Sequence, residues 1–314
     1  MLDLGFALLL TLLATGLGAR ILHGLRAAPE HPADLFGLAF PLGAGLLSLG
    51  VLALGQFPAL TVLGLSVLLA LVAELGLRVG VRLAGRLASA PLAPRADGRP
   101  AGIDRIMTVF LLATIAATGI SALAPVLDGD ALCYHLQVPK VFPRDGQVSF
   151  EPDLHETVYP LTTEMLYLVA LAFRGPVACR GIQWMLGLAM AANVTALARP
   201  TLGRRAWWAG AGALLVPAVT NGMGAPLNDV ALAAFGTAAI AAWVRWHEQP
   251  DARSAALAGV FTGLAAGVKY PALVLGSLLF ACLALRPLWS RREDARRGWG
   301  DALGHALAFL PAAV

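Results

Sequence analysis

The side chains best suited to chemistry lie in one polar segment, which runs from Asp128 to Glu164 between hydrophobic runs. The segment is much longer than a connection between two helices requires. A carboxylate beside an apolar wall loses part of its hydration, which raises its basicity, so the segment predicts a general base. Its acids, histidines, tyrosines and lysine are Asp128, Asp130, Asp145, Glu151, Asp153, Glu156, Glu164, His135, His155, Tyr134, Tyr159 and Lys140.

Asp130 opens the string Asp130-Ala-Leu-Cys-Tyr134, directly after a hydrophobic run. A carboxylate in that place can take the proton of a reacting hydroxyl group. From spacing alone, the simpler interpretation is that Asp128 or Asp130 caps a helix that begins near Ala131, because Asp is common at the N-cap. The sequence leaves both interpretations open.

Asp229 and Lys269 also have two interpretations each. Asp229 follows Asn228 at the start of a hydrophobic run, where it either caps a helix or helps to hold an acceptor, a base or a cation. Lys269 ends the string Gly263-Leu-Ala-Ala-Gly267-Val-Lys269. Glycines four residues apart let helices pack closely. Lys269 itself either extends to water or binds a phosphate.

The composition is that of an integral membrane protein. The chain has 314 residues, 58% of them hydrophobic and only 13% charged, which is too apolar for an ordinary soluble domain. A net charge of +4 can indicate nucleic acid. Here, however, the arginines form short clusters between apolar runs, which is typical of membrane topology and argues against a nucleic-acid partner.

Hydrophobic runs of about 20 residues predict membrane-spanning helices, and the chain is predicted to be all-α and polytopic, with nine or ten spans. The arginine clusters can all be cytoplasmic only if residues 160–173 do not span, so this segment is predicted to be an interfacial or re-entrant helix. Residues 127–160, the outer loop, are then extracytoplasmic and carry short interfacial helices. The predicted spans are 4–22, 35–55, 58–77, 106–126, 178–198, 206–220, 229–246, 254–268, 271–287 and an apolar run from 301 to 314.

This orientation places a few cations outside, contrary to the usual excess of Lys and Arg inside. Such exceptions often bind an anion. Arg174 and Arg180 either are solvated at the interface or hold a lipid phosphate from the side opposite Lys269, with Lys140 as a further candidate. His135 and His155 lack the HxxxH or HExxH spacing of a metal site. No metal site or other cofactor is predicted, although a divalent cation is left open.

In their order, these strings resemble the GT-C superfamily of membrane glycosyltransferases. The likeness is to the family 39-like branch, which includes protein O-mannosyltransferases and lipid A aminoarabinose transferases. It covers about residues 105–287. The strings are Asp130 to Tyr134, then Tyr159-Pro160-Leu161, then Gly175 to Arg180, then Asp229, then Gly263 to Lys269.

The resemblance implies an inverting transfer of a hexose or pentose from a polyprenyl-phosphate donor to a hydroxyl group or lipid at the extracytoplasmic face. It implies Asp130 as the base, and membrane lipids as further partners. The substrate would contact Asp128, Tyr134, His135, Glu156, Tyr159 and Asp229. The donor phosphate would contact Lys269, Arg174, Arg180 and Lys140.

The expected location is the inner, or cytoplasmic, membrane of a bacterium. Residues 1–104 are predicted to be an N-terminal extension of three spans with an arginine-rich loop, and residues 105–314 the GT-C-like module. Family members usually continue through more spans, so the chain is expected to be a fragment, to belong to a short lineage or to pair with a second membrane subunit. The alternatives are a non-catalytic membrane subunit and a lipid or solute transporter. A transporter would carry charges along an intramembrane pathway, whereas here they collect at one face.

Overall fold

The computed structural model describes residues 2–90, 102–288 and 295–313. Within these ranges the chain forms thirteen α-helices and no β-strand. The helices are α1 (Leu2–Gly24), α2 (Pro32–Gly55), α3 (Val62–Ser89), α4 (Gly102–Ala122), α5 (Val138–Asp145), α6 (Thr162–Phe173), α7 (Pro176–Leu202), α8 (Trp207–Leu214), α9 (Pro217–Met223), α10 (Asp229–Glu248), α11 (Ala252–Ala266), α12 (Ala272–Ala284) and α13 (Ala295–Ala313). Parts of two arginine clusters, at 91–101 and 289–294, and the last residue of the predicted final span lie outside the described residues.

Five of the described helices are long and apolar enough to cross a membrane: α1, α2, α3, α4 and α7. The prediction of an all-α, polytopic membrane protein is confirmed. The number of such helices is nevertheless smaller than the nine or ten spans predicted. Three apolar helices, α6, α11 and α12, are shorter.

The predicted span 206–220 forms two short helices, α8 and α9. Val216 between them has an extended backbone, and Pro217 follows it at the start of α9. Proline has no N–H to donate and disfavours a helical conformation in the residue before it, and here the extended backbone of Val216 ends one helix before the next begins.

The segment predicted to be interfacial or re-entrant is α6, which has 12 residues. Every residue from Thr162 to Ala170 is buried, and α6 packs against α2, α5 and α7. An interfacial amphipathic helix would keep one face exposed, so a re-entrant helix enclosed by protein fits the structure. Such a helix is tolerated at membrane depth because protein surrounds it.

The three leading helices share one hydrophobic core with the rest of the chain. The amide of Asn193 in α7 donates to the carbonyl oxygen of Gly37 in α2 at 2.9 Å, and both residues are buried. The predicted boundary after residue 104 falls in the first turn of α4. α2 therefore packs on both sides of this boundary.

The connection between α2 and α3 also holds the outer loop. The N–H of Leu60 donates to the carbonyl oxygen of Gly146 at 2.8 Å, and the N–H of Val148 donates to that of Gly55 at 2.9 Å. A Cβ atom on Gly55 would lie 2.5 Å from Cγ2 of Val148, so a larger residue at this position would displace Val148 of the loop. The leading helices thus have a role that the sequence did not reveal, since they anchor the loop.

We expect Gly55→Val to loosen the outer loop, because overpacking at such a contact costs about 1–3 kcal/mol. The variant should unfold at a lower temperature in detergent and be cleaved faster by trypsin at Lys140 or Arg144. Gly24→Val is the matched control, because Gly24 also ends a helix and a Cβ there would meet no atom within 4 Å. Equal cleavage rates for the two variants would contradict this role of Gly55.

Candidate functional site

The outer loop begins with a single turn of π-helix, Ala131–His135, which the N–H of Leu136 closes by donating to the carbonyl oxygen of Ala131 at 2.9 Å. π-Helical turns are rare and occur frequently at functional sites. Since the hydrogen bond joins residues five positions apart, Tyr134 and His135 come round to the face of Asp130. This local geometry groups an acid, a phenol and an imidazole.

The carboxylate of Asp130 is exposed and caps no helix. Helical backbone already begins at Gly129, one residue earlier. Within the described part of the chain, the Asp130 side chain makes neither a hydrogen bond nor an ion pair. The capping interpretation therefore does not describe Asp130, and its carboxylate is free to accept a proton.

Four other residues act electrostatically on the phenol of Tyr134. Partial burial, followed by the negative charges of Glu164, Asp130 and Asp229 and the neighbouring Tyr159, raises the pKa of Tyr134 to about 12. The rings of Tyr134 and Tyr159 meet edge to face, with centroids 6.2 Å apart. At neutral pH the phenol is protonated and can donate a hydrogen bond, and three acids lie near enough for their charges to act on it.

Asp229 and Lys269 form an ion pair. The ammonium of Lys269 lies 2.6 Å from a carboxylate oxygen of Asp229. The Lys269 side chain is 32% exposed and that of Asp229 59%, so water and a ligand can reach both. Neither Asn228 nor Asp229 caps α10 through its side chain. The sequence predicted each partner as a site residue but not the pair.

The turn before Lys269 lies directly against the start of α6. The N–H of Thr162 donates to the carbonyl oxygen of Gly267 at 2.9 Å, and a Cβ on Gly267 would lie 2.3 Å from Oγ1 of Thr162. A Cβ on Gly263 would lie 2.5 Å from the carbonyl oxygen of Ala313. Both glycines thus serve close packing, as one interpretation of their spacing predicted.

Arg180 has a structural role in this arrangement. Its guanidinium, 6% exposed, donates to the carbonyl oxygens of Ala124 at 2.8 Å and Pro125 at 2.6 Å, just after the end of α4. It also has an electrostatic interaction with Asp128. It thereby holds the start of the outer loop, and its predicted contact with a phosphate stays a prediction.

Two other predicted phosphate ligands, Arg174 and Lys140, are exposed. Among the described residues, their side chains make no hydrogen bond or ion pair. No interaction between described residues brings them together with Lys269, so their role also stays a prediction.

The two histidines of the outer loop lie in different environments, one exposed and one buried. His155 is exposed and its Nε2 lies 3.1 Å from the hydroxyl of Tyr159 and 3.5 Å from Glu156. His135 is buried. Within the described ranges, no three side chains of His, Cys, Asp or Glu converge as a metal site.

Glu164 and Asn228 are polar groups of the site that the predicted site residues do not include. Nδ1 of His135 lies 2.6 Å from Oε1 of Glu164, and the amide of Asn228 donates to the same oxygen at 3.3 Å. All three side chains are buried. An acid inside the apolar string TTEMLYLVALAF was the available signal, because ionisable residues in such segments are usually functional.

A groove of about 750 Å³ borders the site. One wall is formed by residues 157–161, where the outer loop returns to α6. The other walls are formed by α2, α6, α11 and α13. Gly263 and Gly267 line it close to Lys269. Its apolar side chains include Leu46, Leu49, Leu52, Met165, Val260 and Leu264.

Residues 171–312 match the family model of the dolichyl-phosphate-mannose-protein mannosyltransferases. This part of the chain is similar to that family, whose domain is of the GT-C type. The resemblance seen in the sequence is therefore confirmed, and the match supports a membrane glycosyltransferase that uses a polyprenyl-phosphate sugar donor. No curated protein matches the chain, and neither does any solved structure.

The matched part of the chain includes Arg180, Asp229 and Lys269 but begins after Asp130 and Tyr134. The family match thus covers the ion pair and the glycine string. Asp130 lies outside the matched part. The case for Asp130 as a site residue therefore rests on the geometry of the outer loop and on the resemblance of the string Asp130 to Tyr134.

We expect the stability of the protein to fall between about pH 10 and about pH 12 through Tyr134. A tyrosine in the unfolded chain titrates near 10, whereas the folded protein retains the proton up to about pH 12. The raised pKa contributes stability that is complete below pH 10 and is lost as the pH rises toward 12. Unfolding temperatures measured across this range should fall less in Tyr134→Phe than in wild type. Tyr270→Phe, at an exposed tyrosine, should follow wild type; equal slopes for all three proteins would contradict the shift.

Proposed function

We propose that this protein transfers a hexose or pentose from a polyprenyl-phosphate donor to a hydroxyl group or lipid at the extracytoplasmic face of a bacterial inner membrane. The observation that carries the proposal is the unpaired carboxylate of Asp130, which shares the face of a π-helical turn with Tyr134 and His135. A general base must reach the hydroxyl that it deprotonates, and an exposed carboxylate without a partner can do so.

The donor fits the groove beside the outer loop. The apolar walls formed by α2, α6, α11 and α13 suit a polyprenyl chain, which is hydrocarbon throughout. The groove reaches Gly267, two residues before Lys269. A phosphate at this end of the groove can share Lys269 with Asp229, because both partners are accessible. Arg174 and Lys140 are exposed, pair with none of the described residues and can supply further positive charge.

The transfer is a displacement at the anomeric carbon. The acceptor oxygen loses its proton to Asp130 and forms a bond to the anomeric carbon, while the bond from that carbon to the phosphate oxygen breaks. The electron pair leaves with the polyprenyl phosphate, and Lys269 stabilises its negative charge. Attack from the face opposite the phosphate inverts the configuration.

The remaining polar groups hold the sugar and the acceptor. The protonated phenol of Tyr134 can donate to a hydroxyl oxygen, and the carboxylates of Asp128 and Glu156 can accept from hydroxyl groups. Tyr159 offers a ring edge beside Tyr134, which suits contact with a sugar. A second membrane subunit that completes acceptor binding is part of the proposal.

We expect Asp130→Asn to lower the transfer rate about 100- to 10,000-fold, because general-base catalysis typically contributes that much. The measurement is the release of polyprenyl phosphate from polyprenyl-phosphate mannose by the protein in nanodiscs, with host membrane extract as the source of acceptor. Asp153→Asn is the matched control, since Asp153 is an exposed acid of the same loop with no hydrogen bond or ion pair to a described residue. If Asp130→Asn keeps more than about a tenth of the wild-type rate, Asp130 is not the base.

We expect Lys269→Ala to bind a polyprenyl phosphate about tenfold or more weakly, because hydrogen bonds to charged groups contribute about 1.5–3 kcal/mol. Asp229 is exposed, so loss of its partner should cost little stability. Native mass spectrometry of the detergent-purified protein with added polyprenyl phosphate measures the bound fraction. Arg144→Ala, at another exposed outer cation, should bind as wild type does. Equal binding by both variants would remove Lys269 from the phosphate site.

A further inference from the structure

Glu164 is a carboxylate fully enclosed by protein in the first turn of the apolar helix α6. A buried carboxylate is unfavourable unless other groups compensate it. The helix N-terminus supplies part of the compensation because its partial charge is positive. Two side chains from distant parts of the sequence supply more, as His135 and Asn228 both lie at hydrogen-bond distance from Oε1.

The network of Glu164, His135 and Asn228 leaves some of its own buried polar atoms without a hydrogen-bond partner among the described residues. Oε2 of Glu164, Oδ1 of Asn228 and Oγ1 of Thr163 are buried and have no hydrogen-bond partner in the described part of the chain. Buried polar groups in proteins are nearly always paired, so unpaired groups require an explanation. Oε1 of Glu164, in contrast, receives two contacts. The network therefore concentrates its interactions on one carboxylate oxygen, the one that contacts Nδ1 of His135.

The contact with Glu164 determines which nitrogen of His135 faces a ligand. A carboxylate 2.6 Å from Nδ1 accepts a hydrogen bond from that nitrogen, and in the tautomer with its proton on Nδ1 the other nitrogen, Nε2, is the acceptor. Nε2 has no partner among the described residues and is not one of their fully buried unpaired atoms. The ring lies against Tyr134, with centroids 3.9 Å apart, on the face of the π-helical turn that also carries Asp130.

We propose that Glu164 is a positioning residue that presents Nε2 of His135 as the hydrogen-bond acceptor for a hydroxyl group of the substrate, with Asn228 holding the carboxylate in place. This inference rests on the proposed sugar transfer. Nε2 of His135 is a neutral acceptor, whereas Asp130 is an anionic base. The imidazole can therefore orient a hydroxyl group without taking the proton that Asp130 removes. The hydroxyl belongs either to the sugar of the donor or to the acceptor molecule, and binding and kinetics distinguish these sources.

Two substitutions of His135 separate the two ring nitrogens. The amide of asparagine reaches the position of Nδ1, so His135→Asn keeps a donor for Glu164 and removes the acceptor at Nε2. The amide of glutamine reaches the position of Nε2, so His135→Gln does the opposite. We expect His135→Asn to be the more stable variant and the less active one. A purely structural histidine predicts that activity follows stability, with His135→Asn the more active.

Glu164→Gln tests the positioning residue itself. The change preserves shape and removes a buried negative charge, so the unfolding temperature should be unchanged or higher. Transfer should fall about tenfold or more, because the amide can donate to Nδ1 and thereby move the ring proton to Nε2. Asn193→Ala calibrates the effect of lost stability alone, since Asn193 is buried against Gly37 and is not a proposed site residue.

The deciding experiment measures, by native mass spectrometry, the binding of polyprenyl phosphate and of polyprenyl-phosphate mannose to wild type and these variants, alongside kcat and KM for transfer. All proteins should bind polyprenyl phosphate equally. If His135 holds the donor sugar, wild type binds polyprenyl-phosphate mannose more tightly than polyprenyl phosphate. This difference in affinity is lost in His135→Asn and Glu164→Gln and partly kept in His135→Gln. If it holds the acceptor hydroxyl, donor binding is unchanged and KM for the acceptor rises instead.

Two results would overturn the proposal, and they differ. Wild-type donor binding and transfer that are retained in His135→Asn and Glu164→Gln would leave the transferase intact and remove the positioning role. Failure of wild type to bind either lipid or to release polyprenyl phosphate would remove the proposed function and this inference with it.

Discussion

The enclosure of α6 is the constraint on which the rest of the structure depends. This helix has only 12 residues, so it cannot cross a bilayer of about 30 Å, and its ends must be satisfied by protein. α2, α5 and α7 surround it, and the carbonyl oxygen of Gly267 accepts the N–H of Thr162. Because α6 is enclosed by protein, it can carry the buried carboxylate of Glu164 within an apolar sequence.

The same packing holds the outer loop at three places. Arg180 binds the carbonyl oxygens of Ala124 and Pro125 at its start. The connection between α2 and α3 binds Gly146 and Val148 in its middle, and α6 receives its end. A functional group works best when the backbone that carries it is held by rigid elements. Asp130 therefore has a defined place although its own side chain is free.

The ion pair of Lys269 and Asp229 links this arrangement to the chemistry of the site. Asp229 comes from the start of α10 and Lys269 from the turn after α11, and Tyr134 of the outer loop experiences the charge of Asp229. A positive charge held beside the groove by an accessible carboxylate is well suited to receive a phosphate, because the phosphate replaces interactions that water already weakens. The GT-C match covers both residues of the pair.

The sequence by itself determined the class of fold and most of the groups at the site. Apolar runs of spanning length require a membrane. Asp130 lies near Tyr134, and Lys269 follows two glycines, because in each case the residues are only a few positions apart in the chain. Pro217, which interrupts a predicted span, was also visible. Only the tertiary structure decided which groups pair. Glu164 meets a histidine 29 residues away and an asparagine 64 residues away, and Arg180 serves the loop start instead of standing free. Such contacts depend on how separate helices pack, and side-chain type and spacing along the chain do not specify that packing.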